Sequence, residues 1–382
     1  MAFWRDCTPP GMELKSEGPS SDLFDPRREL PIETYYKGLS RPFDVRTVIP
    51  ADVFIAYGLE FQKTFAPDVD PRQVTKVSRA GDKFQLTLED GATMRAGRVV
   101  IATGIRDYAY IPEALRAAPS EFVSHSCEYG PVDRFAGRKV IVIGGGASAV
   151  DLAWSLYERG SDVSLVCRAP KIDFHPKPPP RTWRSPIRSP HTPIGGGWKL
   201  LFYARLPNLF RLLPEATRRR IVATTLGPFP GWFMTERVPG RIPILGGLQI
   251  TGAQAVGDKI SLTAKGLDGQ TTTLTADHVV AATGYRVDLD RLPFLDQGLR
   301  KGVRTAGGAP VLSADFESSE RGLYFIGAVS APTFGPVMRF VAGAGFAVRR
   351  VSRRLASTRA RTEGRSSTSE YQAVKWGGKS SG

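Results

Sequence analysis

A short apolar stretch, Lys139–Ile143, runs directly into Gly144-Gly145-Gly146-Ala147-Ser148-Ala149, and an apolar-periodic segment follows at once. No other feature constrains this chain more. A strand entering a glycine-rich corner that opens a helix is the arrangement a diphosphate requires. Bare backbone N–H groups and the positive end of the helix dipole then face the anion. Gly144 permits the tight turn, Gly146 allows close approach of the phosphates, and Ala149, in the third position, keeps helix and strand together. Alone the motif is weak. Here a strand precedes it and a second strand, Asp162–Cys167, follows, and this context supports it. The helix between them is expected to bury Ala149, Leu152, Ala153, Leu156 and Tyr157, with Gly160 at its C′ position.

The end of that second strand selects the nucleotide. Sites that prefer NAD place Asp or Glu there to bind the ribose 2′-hydroxyl. This chain has Cys167-Arg168 instead. A guanidinium pairs with a 2′-phosphate, so the reading is NADPH, with Lys171 able to add charge nearby. Flanking the unit are two copies of a second pattern. Val74–Ser78 and Phe84–Leu88 read as strands, Glu89-Asp90-Gly91 as a turn, and Arg98–Ala102 as an apolar strand ending in Thr103-Gly104. Later, Ile260–Thr263, the Asp268-Gly269 turn and Asp277–Ala282 lead to Thr283-Gly284. A hairpin followed by an apolar strand and Ala-Thr-Gly, twice, is an internal repeat, and it implies two related nucleotide domains. Small residues at these strand ends permit close approach of a cofactor.

Elsewhere the reading is coarser. Met1 to Arg41 is expected to be irregular, and 50–65 helical. Residues 169–247 read as an insertion with long loops, including Lys177-Pro178-Pro179-Pro180-Arg181 and an apolar, basic stretch from Trp198 to Leu213 interrupted by Pro207. That stretch is expected to cover the substrate channel. Arg321–Ile326 is a further strand, and Gly335-Pro336 is expected to open a helix through Val341, Phe346 and Val351. Beyond Leu355 little is left to bury, and disorder is expected.

Hydrophobic residues make up 41% and charged residues 23% of the chain, the profile of a globular protein. No apolar run is long enough to span a bilayer, and Met1–Pro10 lacks a signal-peptide layout, so a cytoplasmic protein is expected. The net charge is +15, yet much of the excess is arginine near the C-terminus without a recognition motif, so no nucleic-acid partner is expected. Cys7, Cys127 and Cys167 form no CxxC pair, which argues against a dithiol redox centre. His175, His191 and His278 lack metal spacing, so no metal is expected. His125 is the nearest candidate for a functional imidazole, and a structural role is expected for it.

The two Ala-Thr-Gly strands, the glycine loop between them, Cys167-Arg168 and Gly322-Leu-Tyr-Phe-Ile-Gly327 resemble the two-dinucleotide-binding-domain flavoproteins. Within these the chain, from about Met12 to Leu355, looks most like the class B flavin-dependent monooxygenases. His125-Ser-Cys-Glu-Tyr129 is similar to the His-xxx-Tyr half of that family's motif. Pro119 and Glu121 stand where its Phe-x-Gly half would be. The resemblance implies an α/β fold in which a Rossmann-type NADPH domain is inserted in an incomplete FAD/NAD(P)-binding, glutathione-reductase-like domain. It implies an FAD- and NADPH-dependent oxidoreductase that reduces flavin and transfers oxygen from O₂ to a small organic substrate. Family members begin with a strand and GxGxxG for FAD. Nothing before Arg41 offers either, and Gly327-Ala328 replaces the Gly-Asp of many relatives. A truncated gene product is therefore expected, with the missing unit encoded upstream of Met1.

The expected organisation is a first part of the FAD-binding domain at 1–104, the NADPH domain at 105–284, a return segment at 285–356 and a tail at 357–382. Cofactor contacts are expected from Gly144, Gly145, Gly146, Ala147, Ser148, Ala149 and Arg168, and from Thr103, Gly104, Thr283, Gly284 and Gly327. A flavin reductase or dehydrogenase, and a non-enzymatic NADP(H)-binding protein, are the alternatives.

Overall fold

In the computed structural model the described residues are 1–177 and 185–363. The strands in chain order are β1 (Glu13–Glu17), β2 (Val48–Pro50), β3 (Val74–Ala80), β4 (Lys83–Leu88), β5 (Thr93–Ala96), β6 (Val99–Ile101), β7 (Val123–His125), β8 (Lys139–Ile143) and β9 (Asp162–Val166). They continue with β10 (His191–Thr192), β11 (Gly195–Gly196), β12 (Ile244–Leu245), β13 (Gln249–Val256), β14 (Lys259–Lys265), β15 (Thr271–Ala276), β16 (His278–Ala281), β17 (Thr305–Ala306), β18 (Ala309–Pro310) and β19 (Leu323–Phe325).

A five-stranded parallel sheet ordered β12-β9-β8-β16-β7 forms the middle layer of one half. Its strands are buried on both faces, as a covered parallel sheet requires. Val140 and Val142 of β8, with Val280 of β16, face the Ala147–Glu158 helix. Ile141 and Ile143, with Val279 and Ala281, face the antiparallel sheet β13-β14-β15. The alternation follows from the two-residue side-chain period of a strand. The helix buries Ala149, Val150, Leu152, Ala153 and Leu156. Tyr157 does not join that face: it is exposed and lies against Trp154 on the surface, ring centroids 5.5 Å apart. Gly160, at φ +78°, ends the helix as expected. Its N–H reaches Tyr157 O and the Ser161 N–H reaches Leu156 O, which satisfies two carbonyls a helix end leaves open.

The second half repeats the plan on a smaller scale. The meander β3-β4-β5 leads into β6, which pairs in parallel with β19. Both copies of the duplicated pattern are therefore a three-stranded antiparallel sheet feeding a parallel strand. The core here holds Phe84, Phe210, Phe316, Phe325 and Phe334, with Phe316 and Phe334 stacked at 4.0 Å. The helices Trp198–Arg205 and Pro207–Phe210 add Tyr203 and Phe210 to this core, so the stretch from Trp198 packs on the second half.

Met1–Arg41 is ordered, contrary to the expectation of irregular structure. Helix Ala2–Cys7, β1 and helix Ile32–Gly38 share a core with helix Ala51–Phe65. Tertiary contacts hold these short elements. Trp4 lies 4.9 Å from Phe54, and the Tyr57 hydroxyl donates to Leu30 O at 2.9 Å. After Gly335 the backbone makes two 3₁₀ turns, Pro336–Arg339 and Val341–Gly343, and the last helix begins only at Ala344. That helix runs to Glu363, past the expected onset of disorder, and the rest of the expected tail lies outside the described residues. Arg350 and Arg354 on it lie 3.9 Å and 3.7 Å from Asp315 and Glu317. Of the proline-rich run in the insertion, 178–181 falls outside the described residues. Among the described residues, no helix is long and apolar enough to cross a membrane, and no side-chain cluster has the makings of a metal site.

Candidate dinucleotide site

The C-terminal ends of β8, β9 and β16 open onto a cavity of about 550 Å³. Ligands bind at such strand ends in open parallel sheets. Gly144 leaves β8 at φ +150°, a backbone conformation that side chains disfavour, and its N–H bonds Val166 O at 2.9 Å. A Cβ built there would overlap the Ala282 carbonyl oxygen and sit 3.1 Å from Ala149 Cβ. The first glycine and the small third residue are thus both demanded by close packing of β8, β16 and the helix. Gly146 is the helix N-cap, and no side chain caps that end.

The structure brings Gly144, Gly145, Gly146, Ala147, Ser148, Arg168, Thr283 and Gly284 to the wall of this one cavity. Ala149 is fully buried and serves packing rather than the wall. Thr103, Gly104 and Gly327 stand apart, exposed beyond the ends of β6 and β19 in the other half. Arg168 is exposed on the rim beyond β9, and among the described residues it has no carboxylate within ion-pair distance. Lys171 is not on the wall and lies 3.8 Å from Asp173.

His125 is completely buried. Its Nε2 lies 3.0 Å from Gly284 O, and its Nδ1 accepts from the Cys127 N–H at 3.3 Å. The ring therefore props the Thr283-Gly284 turn. Burial lowers its pKa, which keeps it neutral. Cys7, Cys127 and Cys167 are buried free thiols.

Several wall residues escaped the sequence reading. Pro228 and Phe229 of the insertion reach the glycine loop, and the Ala147 N–H donates to Pro228 O at 2.6 Å. Tyr110 and Arg286 also line the cavity, the guanidinium carbon 3.4 Å from the ring centroid. No spacing signal points to any of these. Asp151 did carry a signal, as a carboxylate on the apolar face of the helix. It lines a second cavity of about 210 Å³ with Trp4, Lys15, Ser21, Phe233 and Arg339. Asp151 is 8% exposed and has no hydrogen bond or ion pair among the described residues. Burial raises its pKa to about 7, with Lys15 opposing the rise.

The residues present fit a nicotinamide dinucleotide: a glycine corner on the cavity wall, a helix start with no side-chain cap and a guanidinium with no ion pair among the described residues. A flavin finds less. Beyond β6 and β19 the backbone of Gly104 and Gly327 faces open space. The β6–β19 sheet has two strands, and the glycine corner after β19, Gly327 at φ +84°, opens only the three-residue 3₁₀ turn Ala328–Ser330. These residues do not form a cradle for the diphosphate of FAD.

The comparisons agree with the fold. A family model described as pyridine nucleotide-disulphide oxidoreductase matches residues 63–191. A ferredoxin–NADP reductase from Thermus thermophilus is 32% identical over 102 residues, covering 26% of this chain and 30% of that protein. One from Rhodospirillum rubrum is 26% identical over 289 residues, covering 74% and 68%. The first of these matches spans about a third of the relative's own length. Among solved structures, the ornithine N-hydroxylase of Kutzneria sp. 744, described with reduced FAD, NADP⁺ and L-ornithine, superposes with a TM-score of 0.71. It is 16% identical, covering 93% of this chain and 90% of that one. The chain therefore has the fold of the two-dinucleotide-binding-domain flavoproteins. Within that class its architecture is like that of the flavin-dependent monooxygenases.

Proposed function

We propose that this chain is an NADPH- and FAD-dependent oxidoreductase of the monooxygenase type, acting on a small organic substrate with O₂. The observation that carries the reading is the single cavity in which the glycine loop and Arg168 meet. Arg168 stands where an NAD site has a carboxylate, and its unpaired charge suits a 2′-phosphate. Bound NADPH supplies a hydride. The protein's part is to orient it: the Gly144–Ser148 corner holds the diphosphate, Arg168 the adenosine end, and the Thr283-Gly284 turn, propped by His125, borders the far side. FAD enters the reading through the likeness to flavoproteins and not through the residues of the β6–β19 sheet. In this scheme 105–284 form the NADPH domain, with 169–247 inserted, while 1–104 and 285–356 form the flavin-side domain.

A second reading, a flavin reductase that passes electrons to an acceptor other than O₂, is favoured by the ferredoxin–NADP reductase relatives. Oxygen consumption driven by NADPH, with FAD supplied, separates the two. The monooxygenase reading expects O₂ uptake that rises with an oxidisable small molecule. NADPH oxidation that needs an artificial acceptor and consumes no O₂ would replace it with the reductase reading. Absence of NADPH binding would remove both.

A further inference from the structure

We propose that Arg286 is the cation for the dinucleotide's diphosphate bridge, a second anchor distinct from Arg168. The proposal rests on the reading of the large cavity as an NADP(H) site. Three arginines surround the Tyr110 ring: Arg286 at 3.4 Å, and Arg116 and Arg291 each at 5.8 Å. Two are committed to the backbone. Arg116 Nε donates to Ile111 O at 2.9 Å, and Arg291 donates to Ala109 O. The Arg286 guanidinium has no hydrogen bond or ion pair among the described residues, and it lines the cavity.

Its position is built. Ala109 and Tyr285 form an antiparallel bridge. The Tyr110 N–H reaches Gly284 O at 2.9 Å, the Arg286 N–H reaches Tyr108 O at 2.7 Å, and the Thr283 hydroxyl donates to Tyr110 O. This ladder holds the Tyr110 ring under the guanidinium, and stacking leaves the N–H edges free to donate.

Sheet order assigns the anion. Arg168 follows β9 and Arg286 follows the strand β16, with β8 between them. Strands stand about 4.8 Å apart, so these two ends are separated by about 10 Å. One phosphate does not bridge that gap, but NADP(H) has two anionic groups. With Arg168 at the 2′-phosphate, Arg286 is left with the diphosphate. The helix start gives this cation a first role, because the Ala147 N–H donates to Pro228 O and opens to an anion only when that carbonyl moves aside. The corner thus offers an arriving anion one donor fewer than a bare helix start.

Calorimetric titration of the full chain with NADP⁺, NAD⁺ and 2′-AMP tests this. In R286A, NADP⁺ and NAD⁺ are expected to bind tenfold or more weakly, with 2′-AMP within twofold of wild type. R168A should do the converse, losing NADP⁺ and 2′-AMP and sparing NAD⁺. R286K, which keeps the charge but not the flat stack, should recover part of the NAD⁺ affinity. Unchanged NADP⁺ and NAD⁺ binding in R286A, or an equal loss of 2′-AMP, overturns the assignment while leaving the dinucleotide reading intact. A wild-type chain that binds none of the three overturns both.

Discussion

Gly144→Ala probes the corner on which the site depends. At φ +150° a side chain is strained, and the added Cβ has nowhere to go. It would overlap the carbonyl oxygen of Ala282, a backbone atom held just past the end of β16, and meet Ala149 Cβ at 3.1 Å. No flexible side-chain tip is available to swing aside. Backbone strain of this kind costs about 1–3 kcal/mol, and overpacking a tight core costs a similar amount, so the substitution should destabilise by roughly 3–5 kcal/mol. That is a large part of an ordinary domain's margin. Gly145→Ala is the matched control. Its φ is not positive, and its Cβ meets Cys167 Cβ at 3.3 Å, a contact that a few tenths of an ångström relieve. Urea unfolding of both variants, followed by NADP⁺ titration at low urea, measures the difference. G144A should unfold at markedly lower urea and lose NADP⁺ affinity, because β8 must move away from β16. A G144A midpoint equal to that of G145A, with wild-type affinity, would refute the claim that this corner is closed by packing.

Arg168→Ala is expected to weaken NADPH by about 10- to 150-fold, the range for a charge-assisted hydrogen bond, and NADH by less than about threefold; equal losses contradict the 2′-phosphate assignment. Asp151, buried and raised to about 7, binds a proton in the fold that it loses when unfolded, so it costs stability as pH rises from about 4 to 7. Asp151→Asn should remove that cost, at most about 4 kcal/mol at pH 8, as read from unfolding midpoints at pH 5 and 8; parallel profiles for variant and wild type count against it. His278, held by Ser124 and Glu121 and lowered to about 4 by burial, works in the opposite sense. Its stability contribution is complete above 6.5 and is lost as pH falls toward 4, so His278→Asn should flatten the acid limb of the stability curve. The two effects oppose each other between pH 4 and 6.5, and a D151N profile no steeper there than wild type would show that one of them is absent.

The strand–loop–helix–strand unit was legible because each part carries its own period or its own required residue. β8 is apolar on both faces, β9 carries Val163 and Leu165 on one, the helix repeats every three to four residues, and Gly144 and Gly160 stand where only glycine is comfortable. The duplicated meander was legible for the same reason. The N-terminal elements were not: the helix has only six residues, β1 (Glu13–Glu17) buries only Leu14, and contacts such as Trp4 on Phe54 hold them. Tyr157 was misplaced because an aromatic at apolar spacing can equally well lie, exposed, against a half-buried tryptophan. Within the site, Arg168 and Thr283-Gly284 could be read because they end strands. Tyr110, Pro228 and Arg286 follow turns, and only the sheet order carries them to the same cavity.

That order also ties the insertion to nucleotide binding. The Pro228 carbonyl sits on the first helix amide, and the surrounding segment is held from several directions. Lys15 donates to Phe229 O at 3.0 Å, the His175 N–H reaches Pro230 O at 2.8 Å, and Arg339 donates to Thr225 O at 2.5 Å. Arg339 ends the 3₁₀ turn Pro336–Arg339, and Lys15 lies on β1 in the N-terminal core. An anion that takes the Ala147 amide must first displace the Pro228 carbonyl. The segment that carries this carbonyl is the one both of those regions grip, so its displacement must be accommodated at Lys15 and Arg339. A carbonyl at a helix start is a weak competitor for a diphosphate, because it brings a partial charge where the ligand brings a full one. The exchange therefore favours the nucleotide once the cations at the rim have drawn it in.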